Sequence, residues 1–222
     1  MSQNYVIPEE VDFWDAENVF YLKSPPSRIG KLLAHHDLYR RVIGRPGAIV
    51  ECGVYKGASL CRFATFRHLL ENDHSRQIIG LDAFGGFPTE NLQSEADLAF
   101  VERFEGAGGA GITREALQRA MQAKGHVNVE LIQGNVFDTV PELLERVPHL
   151  RIALLHLDLD VYEPTKFCID RFLPHMVPGG LIVFDDYNAV EGATRAADEL
   201  CRALDRRLQK LSHYNVPAFL EC

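Results

Sequence analysis

The sequence predicts an α/β fold built on a doubly wound, mostly parallel sheet with helices on both faces. Apolar, β-branched runs of strand length recur over residues 48–54, 77–84, 127–133, 152–159 and 180–184. Between them lie amphipathic stretches long enough for helices, over 58–70, 113–124, 164–175 and 191–208, the alternation that a covered parallel sheet requires. The runs starting at Ile152 and Gly180 are almost unbroken in apolar character and end abruptly in acids. Central strands look like this when their C-terminal ends open on a ligand crevice.

Taken in chain order, residues 27–43 read as a helix, with Ser27 as N-cap behind Pro25-Pro26 and Gly44 as its stop. It is expected to serve as a cap over the sheet or as a contact in a homo-oligomer. Residues 1–46 then form an N-terminal helical cap segment and 47–222 the main domain, one compact unit overall. Residues 85–111 have no clear period and hold the glycine-rich run 105–111, which reads as an active-site lid or as a plain surface loop. Residues 210–222 alternate weakly and are expected to supply two antiparallel edge strands.

Composition narrows the classes. A chain of 222 residues, 46% hydrophobic and 24% charged, suits one domain with a large core. A net charge of -8 with scattered Lys and Arg argues against a nucleic-acid surface, which needs clustered cations for phosphate contacts. Cys52, Cys61, Cys168, Cys201 and Cys222 show no C-x-x-C spacing, so neither a disulfide framework nor a zinc cage is indicated. Residues 1–21 lack the basic start and apolar run of a signal peptide, and no apolar stretch reaches spanning length. A cytoplasmic protein without membrane contact is expected.

The chemistry gathers at strand ends. The first strand runs into Glu51-Cys52-Gly53-Val54-Tyr55-Lys56-Gly57-Ala58-Ser59. Gly53 and Gly57 let the chain turn tightly and let a ligand approach the backbone, and the helix that follows offers free N–H groups to an anion. Tyr55 stands where a dinucleotide fingerprint would demand glycine, which favours a smaller nucleoside. Asp82 ends the second strand, where an acid accepts hydrogen bonds from both ribose hydroxyls or caps a turn. After the third strand, Asn135 is placed to meet an adenine edge and Val136 or Phe137 its face, while Asp138 reads as the N-cap of the next helix.

Two acid clusters give the strongest signal. Asp158 and Asp160 close one strand, Asp185 and Asp186 close the next, and the helix between them makes those strands parallel. If the strands are neighbours, at least three carboxylates converge, and such a set needs a cation or a retained proton. Oxygen donors suit Mg²⁺, Mn²⁺ or Ca²⁺ rather than zinc. His156 shares a face with Asp158 and Asp160 and reads as a satisfied histidine beneath the site, with a ligand role as the alternative. His35, His36, His68 and His74 read as solvated surface side chains.

These residues resemble a known family. The run from Val50 to Ser59, then Asp82-Ala83-Phe84-Gly85-Gly86-Phe87-Pro88, then Leu155 to Thr165, then Pro178-Gly179-Gly180 and Asp185-Asp186-Tyr187 with Gly192 and Asp198 beyond, is similar to the macrocin O-methyltransferase (TylF-like) family. Its close relatives are described as deoxyhexose or nucleotide-sugar O-methyltransferases. The resemblance implies a Rossmann-like, seven-stranded class I methyltransferase sheet that binds S-adenosylmethionine through Glu51, Gly53, Tyr55, Ser59 and Asp82. It further implies Mg²⁺, or Mn²⁺, held by Asp158, Asp185 and Asp186, with Asp158 also discussed as general base. The acceptor it implies is a small-molecule sugar or nucleotide-sugar hydroxyl.

Two rival readings start from the same acids. Leu157-Asp158-Leu159-Asp160-Val161 fits the nucleophile motif of haloacid-dehalogenase-like phosphohydrolases, but that nucleophile ends the first strand of its domain, whereas here several strand-helix units come first. A glycosyltransferase would use Asp158-Leu159-Asp160 to hold a metal and a nucleotide diphosphate. A nucleoside-binding protein without chemistry is a third reading, opposed by the presence of all three metal acids.

Overall fold

The computed structural model describes residues 4–8 and 10–222. Among them, β1 (Ala48–Cys52), β2 (Ile78–Asp82), β3 (Val129–Gln133), β4 (Ile152–Leu157) and β5 (Met176–Phe184) run parallel in the order β3-β2-β1-β4-β5. A sixth strand, β6 (Ala218–Glu221), pairs antiparallel with β5. The chain leaves β3 at one edge and re-enters at β4 beside β1, so the strand order reverses between β1 and β4. Connections diverge there above the carboxyl ends and leave a crevice.

Strand alternation divides the apolar residues between two cores. On one face Ile49, Leu181, Val183 and Phe219 meet Leu38 and Tyr39 of α2 (Pro26–Val42), Leu60 and Phe63 of α3 (Ala58–Leu70), and Leu117 and Met121 of α5 (Arg114–Ala123). On the other, Val50, Leu155, Leu157 and Ile182 meet Val140 of α6 (Val136–Arg146), Ile169 and Phe172 of α7 (Tyr162–Phe172), and Ala196 and Ala197 of α8 (Glu191–Leu204). The two remaining helices are α1 (Phe13–Lys23), capped by Asp12 but burying none of its residues, and α4 (Glu95–Gly108).

Several expectations from the sequence are corrected. The sheet has six strands rather than seven, because Gln209 reaches Phe219 only through an isolated bridge where a second edge strand was expected. Residues 85–111 are not a structureless loop: Ser94 caps α4, whose helix runs into the glycine-rich tract. Ser27 is not an N-cap, since Pro26 already occupies the first helical position, which its fixed φ and missing N–H suit. The N-cap of α6 is Asn135, whose side chain accepts from the Phe137 N–H at 3.2 Å, and Asp138 lies in the first turn. The helix after β4 starts at Tyr162, two residues early, and gives way to a 3₁₀ turn at Leu173–His175.

Candidate active site

The crevice above β1 and β4 is a cavity of about 600 Å³ lined by the β1–α3 turn, the segments after β2, β3, β4 and β5, and one face of α2. Gly53, Tyr55, Ser59, Asp82, Asn135, Val136, Asp158, Asp160, Asp185 and Asp186 all line it. Glu51 and Gly57 do not. Glu51 is fully buried beneath the turn, where one carboxylate oxygen accepts from the Ser59 hydroxyl, and Gly57 caps α3 with φ +83°.

The turn itself is held by Asp82. One of its oxygens accepts from the Val54 and Tyr55 N–H groups at 2.7 and 2.9 Å, and the other from Phe84 N–H at 2.6 Å. Gly53 has φ +88°, and a Cβ there would overlap the Asp158 carbonyl oxygen, so only glycine lets β1 and β4 end side by side. Tyr55 donates to the Gly108 carbonyl at 2.7 Å and packs on Phe104, tying the turn to α4. The Asn135 amide donates to Asn91 at 3.0 Å.

Neighbouring strands bring the acids together. His156 lies in register with Glu51 on one side and Val183 on the other, which sets its ring between Glu51 and Asp185. Its Nδ1 is 3.2 Å from Glu51 Oε1 and its Nε2 3.3 Å from Asp185 Oδ1. Burial opposes its charge, but the Asp185 and Glu51 carboxylates outweigh that cost and raise its pKa to about 10, so both ring nitrogens donate. His35, His156 and Asp185 each bring one ligand atom within 4.8 Å of the others. One oxygen from each of Asp158, Asp185 and Asp186 lies within 4.8 Å of the others, and one Asp186 oxygen is buried without a partner.

Their protonation follows from who faces whom. Burial raises Asp158 well above the carboxylate range, with Asp185 and Asp186 adding repulsion. Burial and the same kind of repulsion push Asp160 and Asp186 up to about 7. Asp185 is held low despite its burial, because His156, His35 and Lys31 all face it.

Helix α2 supplies groups that the sequence did not single out. Lys31 Nζ contacts Asp185 Oδ2, and His35, one turn later, places Nε2 3.5 Å from Asp185 Oδ1. The expectation that His35 is solvated is wrong: it is fully buried, stacked on Phe63 at 5.3 Å between ring centres. Burial lowers its pKa to about 4, so it is neutral. The available signal was spacing, since Arg28, Lys31 and His35 recur at three and four residues on one helix face.

A doubly wound sheet of this order, with a glycine turn after β1 and an acid closing β2, is the class I methyltransferase fold. Within that class the chain belongs to the macrocin-O-methyltransferase (TylF) family, whose model matches residues 31–213. It is 30% identical over 147 residues to the 8-demethyl-8-(2,3-dimethoxy-alpha-L-rhamnosyl)-tetracenomycin-C 4'-O-methyltransferase of Streptomyces olivaceus, covering 65% of this chain and 54% of that protein. It is 28% identical over 149 residues to the mycinamicin III 3''-O-methyltransferase of Micromonospora griseorubida, covering 65% and 56%. The chain thus spans little more than half the length of these relatives. Among solved structures, apo CalS11, a TDP-rhamnose 3'-O-methyltransferase, superposes with a TM-score of 0.68 at 28% identity, over 95% of this chain and 86% of that one. No helix of the described residues is long and apolar enough to cross a membrane.

Proposed function

We propose that the protein is an S-adenosylmethionine-dependent O-methyltransferase acting on a hydroxyl of a nucleotide-linked or natural-product deoxysugar. The observation that carries this reading is the opening of the Asp158, Asp185 and Asp186 carboxylates into the same cavity as the Gly53–Ser59 turn. Family membership and the sugar O-methyltransferases among its relatives support it.

In this reading Gly53, Tyr55, Ser59, Asp82, Asn135 and Val136 surround the cofactor, while Glu51 and Gly57 act from beneath by fixing Ser59 and the start of α3. The acids fit a divalent ion such as Mg²⁺ or Mn²⁺: three oxygen donors converge, one Asp186 oxygen lacks a partner, and their mutual repulsion asks for a cation. Asp158, Asp185 and Asp186 would hold it, and when bound it supplies charge that acidifies and orients a vicinal diol. Methyl transfer is an in-line displacement in which the hydroxyl oxygen forms a bond to the methyl carbon as the carbon–sulfur bond breaks. The released S-adenosylhomocysteine is neutral at sulfur, and the hydroxyl proton would pass to Asp158, which the positive charge of a bound ion would keep ionised against the burial that otherwise raises it. Asp160, two residues after Asp158 and on the cavity wall, acts as a supporting acid.

The test is transfer of labelled methyl from S-adenosylmethionine to a panel of nucleotide-linked and glycoside-linked deoxyhexoses with Mg²⁺ or Mn²⁺. Asp158→Asn is expected to lower kcat by about 10² to 10⁴, the range of a general base, with S-adenosylhomocysteine binding retained. Turnover by Asp185→Asn that is unimpaired and metal-independent would overturn the assignment.

A further inference from the structure

Most cations near the cavity are committed. Lys31 rests on Asp185, and Lys56 donates to the Gly108 carbonyl at 2.8 Å. The buried arginines elsewhere are paired as well: Arg67 with Asp73 at 3.0 Å, and Arg76 with Glu71 at 2.8 Å. Arg28 of α2 and Arg62 of α3 differ. Both line the cavity, and among the described residues neither guanidinium donates a hydrogen bond or meets a carboxylate.

That arrangement has a cost. Burial lowers the pKa of Arg62, and the charge of Arg28 lowers it further. Two like charges facing one cavity favour an anion between them, since the Asp185 and Glu51 carboxylates offset the cost at Arg62 only in part. Guanidinium pairs bind planar or tetrahedral oxyanions through several parallel N–H donors. An anionic substrate group also needs such partners here, because the same cavity carries Asp158, Asp160, Asp185 and Asp186. Arg62 lies three residues beyond Ser59 on α3, and Arg28 of α2 lines the same cavity near enough for its charge to act on Arg62.

We propose that Arg28 and Arg62 form an oxyanion subsite of the cavity that receives an anionic group of a bound substrate. The inference rests on the methyltransferase reading, which offers two sources for that group: the carboxylate of the cofactor's amino-acid portion and the diphosphate of a nucleotide-linked acceptor.

Calorimetric titration of the full chain separates the sources. The probes are S-adenosylhomocysteine, methylthioadenosine, which keeps the nucleoside thioether but lacks the amino acid, and thymidine diphosphate. Arg62→Gln and Arg28→Gln are each expected to weaken one anionic probe by about tenfold or more, the loss of a charge-assisted hydrogen bond, and to leave methylthioadenosine unchanged. Loss confined to S-adenosylhomocysteine assigns the carboxylate, and loss confined to thymidine diphosphate assigns the phosphate. Unchanged affinity for both anions, or an equal loss for methylthioadenosine, overturns the proposal. Arg28 is exposed on α2, so its variant keeps the test decisive if Arg62→Gln does not fold. A wild-type chain that binds neither S-adenosylhomocysteine nor methylthioadenosine would instead defeat the cofactor reading.

Discussion

Glu51 and Asp185 sit on opposite sides of one imidazole in the protein interior, both sealed from solvent. The ring between them carries a positive charge and faces each carboxylate, adding to Lys31 on Asp185 and the Ser59 hydroxyl on Glu51. His156 is therefore a structural cation beneath the acid cluster. His156→Leu, which removes the charge between the carboxylates and leaves Asp185 to Lys31 and Glu51 to the Ser59 hydroxyl, is expected to lower unfolding stability by about 3–5 kcal/mol in urea denaturation. A loss below about 1 kcal/mol would mean that the carboxylates are protonated and the charge is not needed. At the same scale, Gly53 shows why a turn residue is fixed by its neighbour across the sheet: the Asp158 carbonyl fills the space where a Cβ would stand. Nothing local to Gly53 in the sequence announces that contact.

Among the elements, α4 is the one tied to the β1–α3 turn by few groups. Its C-terminal end is held by Tyr55 through the Gly108 carbonyl, with Lys56 on the same oxygen and Phe104 against the Tyr55 ring. Of its residues only Asp97 and Val101 are buried, so the helix is a cover rather than part of the core. Such an element opens at low cost. Tyr55→Phe removes one hydrogen bond worth about 0.5–1.5 kcal/mol, so amide exchange in residues 100–108 is expected to accelerate about two- to tenfold, while the β1 and β4 amides do not change. Equal exchange in the variant would show that Lys56 and the aromatic contact suffice. Helix α2 presents the opposite case: its apolar stripe of Ala34, Leu38 and Val42 is buried in the same core as β1, which fixes Lys31 and His35 against Asp185.

For the whole molecule, the reversal of strand order between β1 and β4 is what makes one cavity out of separate strand ends. Binding of a divalent ion at the proposed site would then couple to global stability, because Asp158 and the Asp185–Asp186 pair follow two strands that are apart in the unfolded chain. Adding Mn²⁺ to chelator-treated protein is expected to raise Tm, by the equivalent of about 2.7 kcal/mol at a hundredfold excess over Kd. Asp186→Asn should abolish most of that rise. A rise that survives the substitution would put the ion elsewhere.

The sequence by itself determined the α/β architecture and marked Asp158, Asp160, Asp185 and Asp186 at two strand ends, while the pairing of β4 with β5 is what makes Asp158, Asp185 and Asp186 converge. Buried parallel strands must be continuously apolar, so acids at their ends stand out in one dimension. It likewise marked the glycine turn and Asp82, because both belong to short-range strand-to-helix geometry. Tertiary structure alone decided the rest. That Glu51 lies under the β1–α3 turn rather than on the cavity wall, that His35 is buried against Asp185, and that Arg28 and Arg62 share a cavity all depend on how α2 and α3 dock on the sheet. The seventh strand failed and α4 formed for the same reason. Edge pairing and lid helices are set by weak local preferences that long-range packing overrides, whereas the central strands are set by burial, which composition records directly.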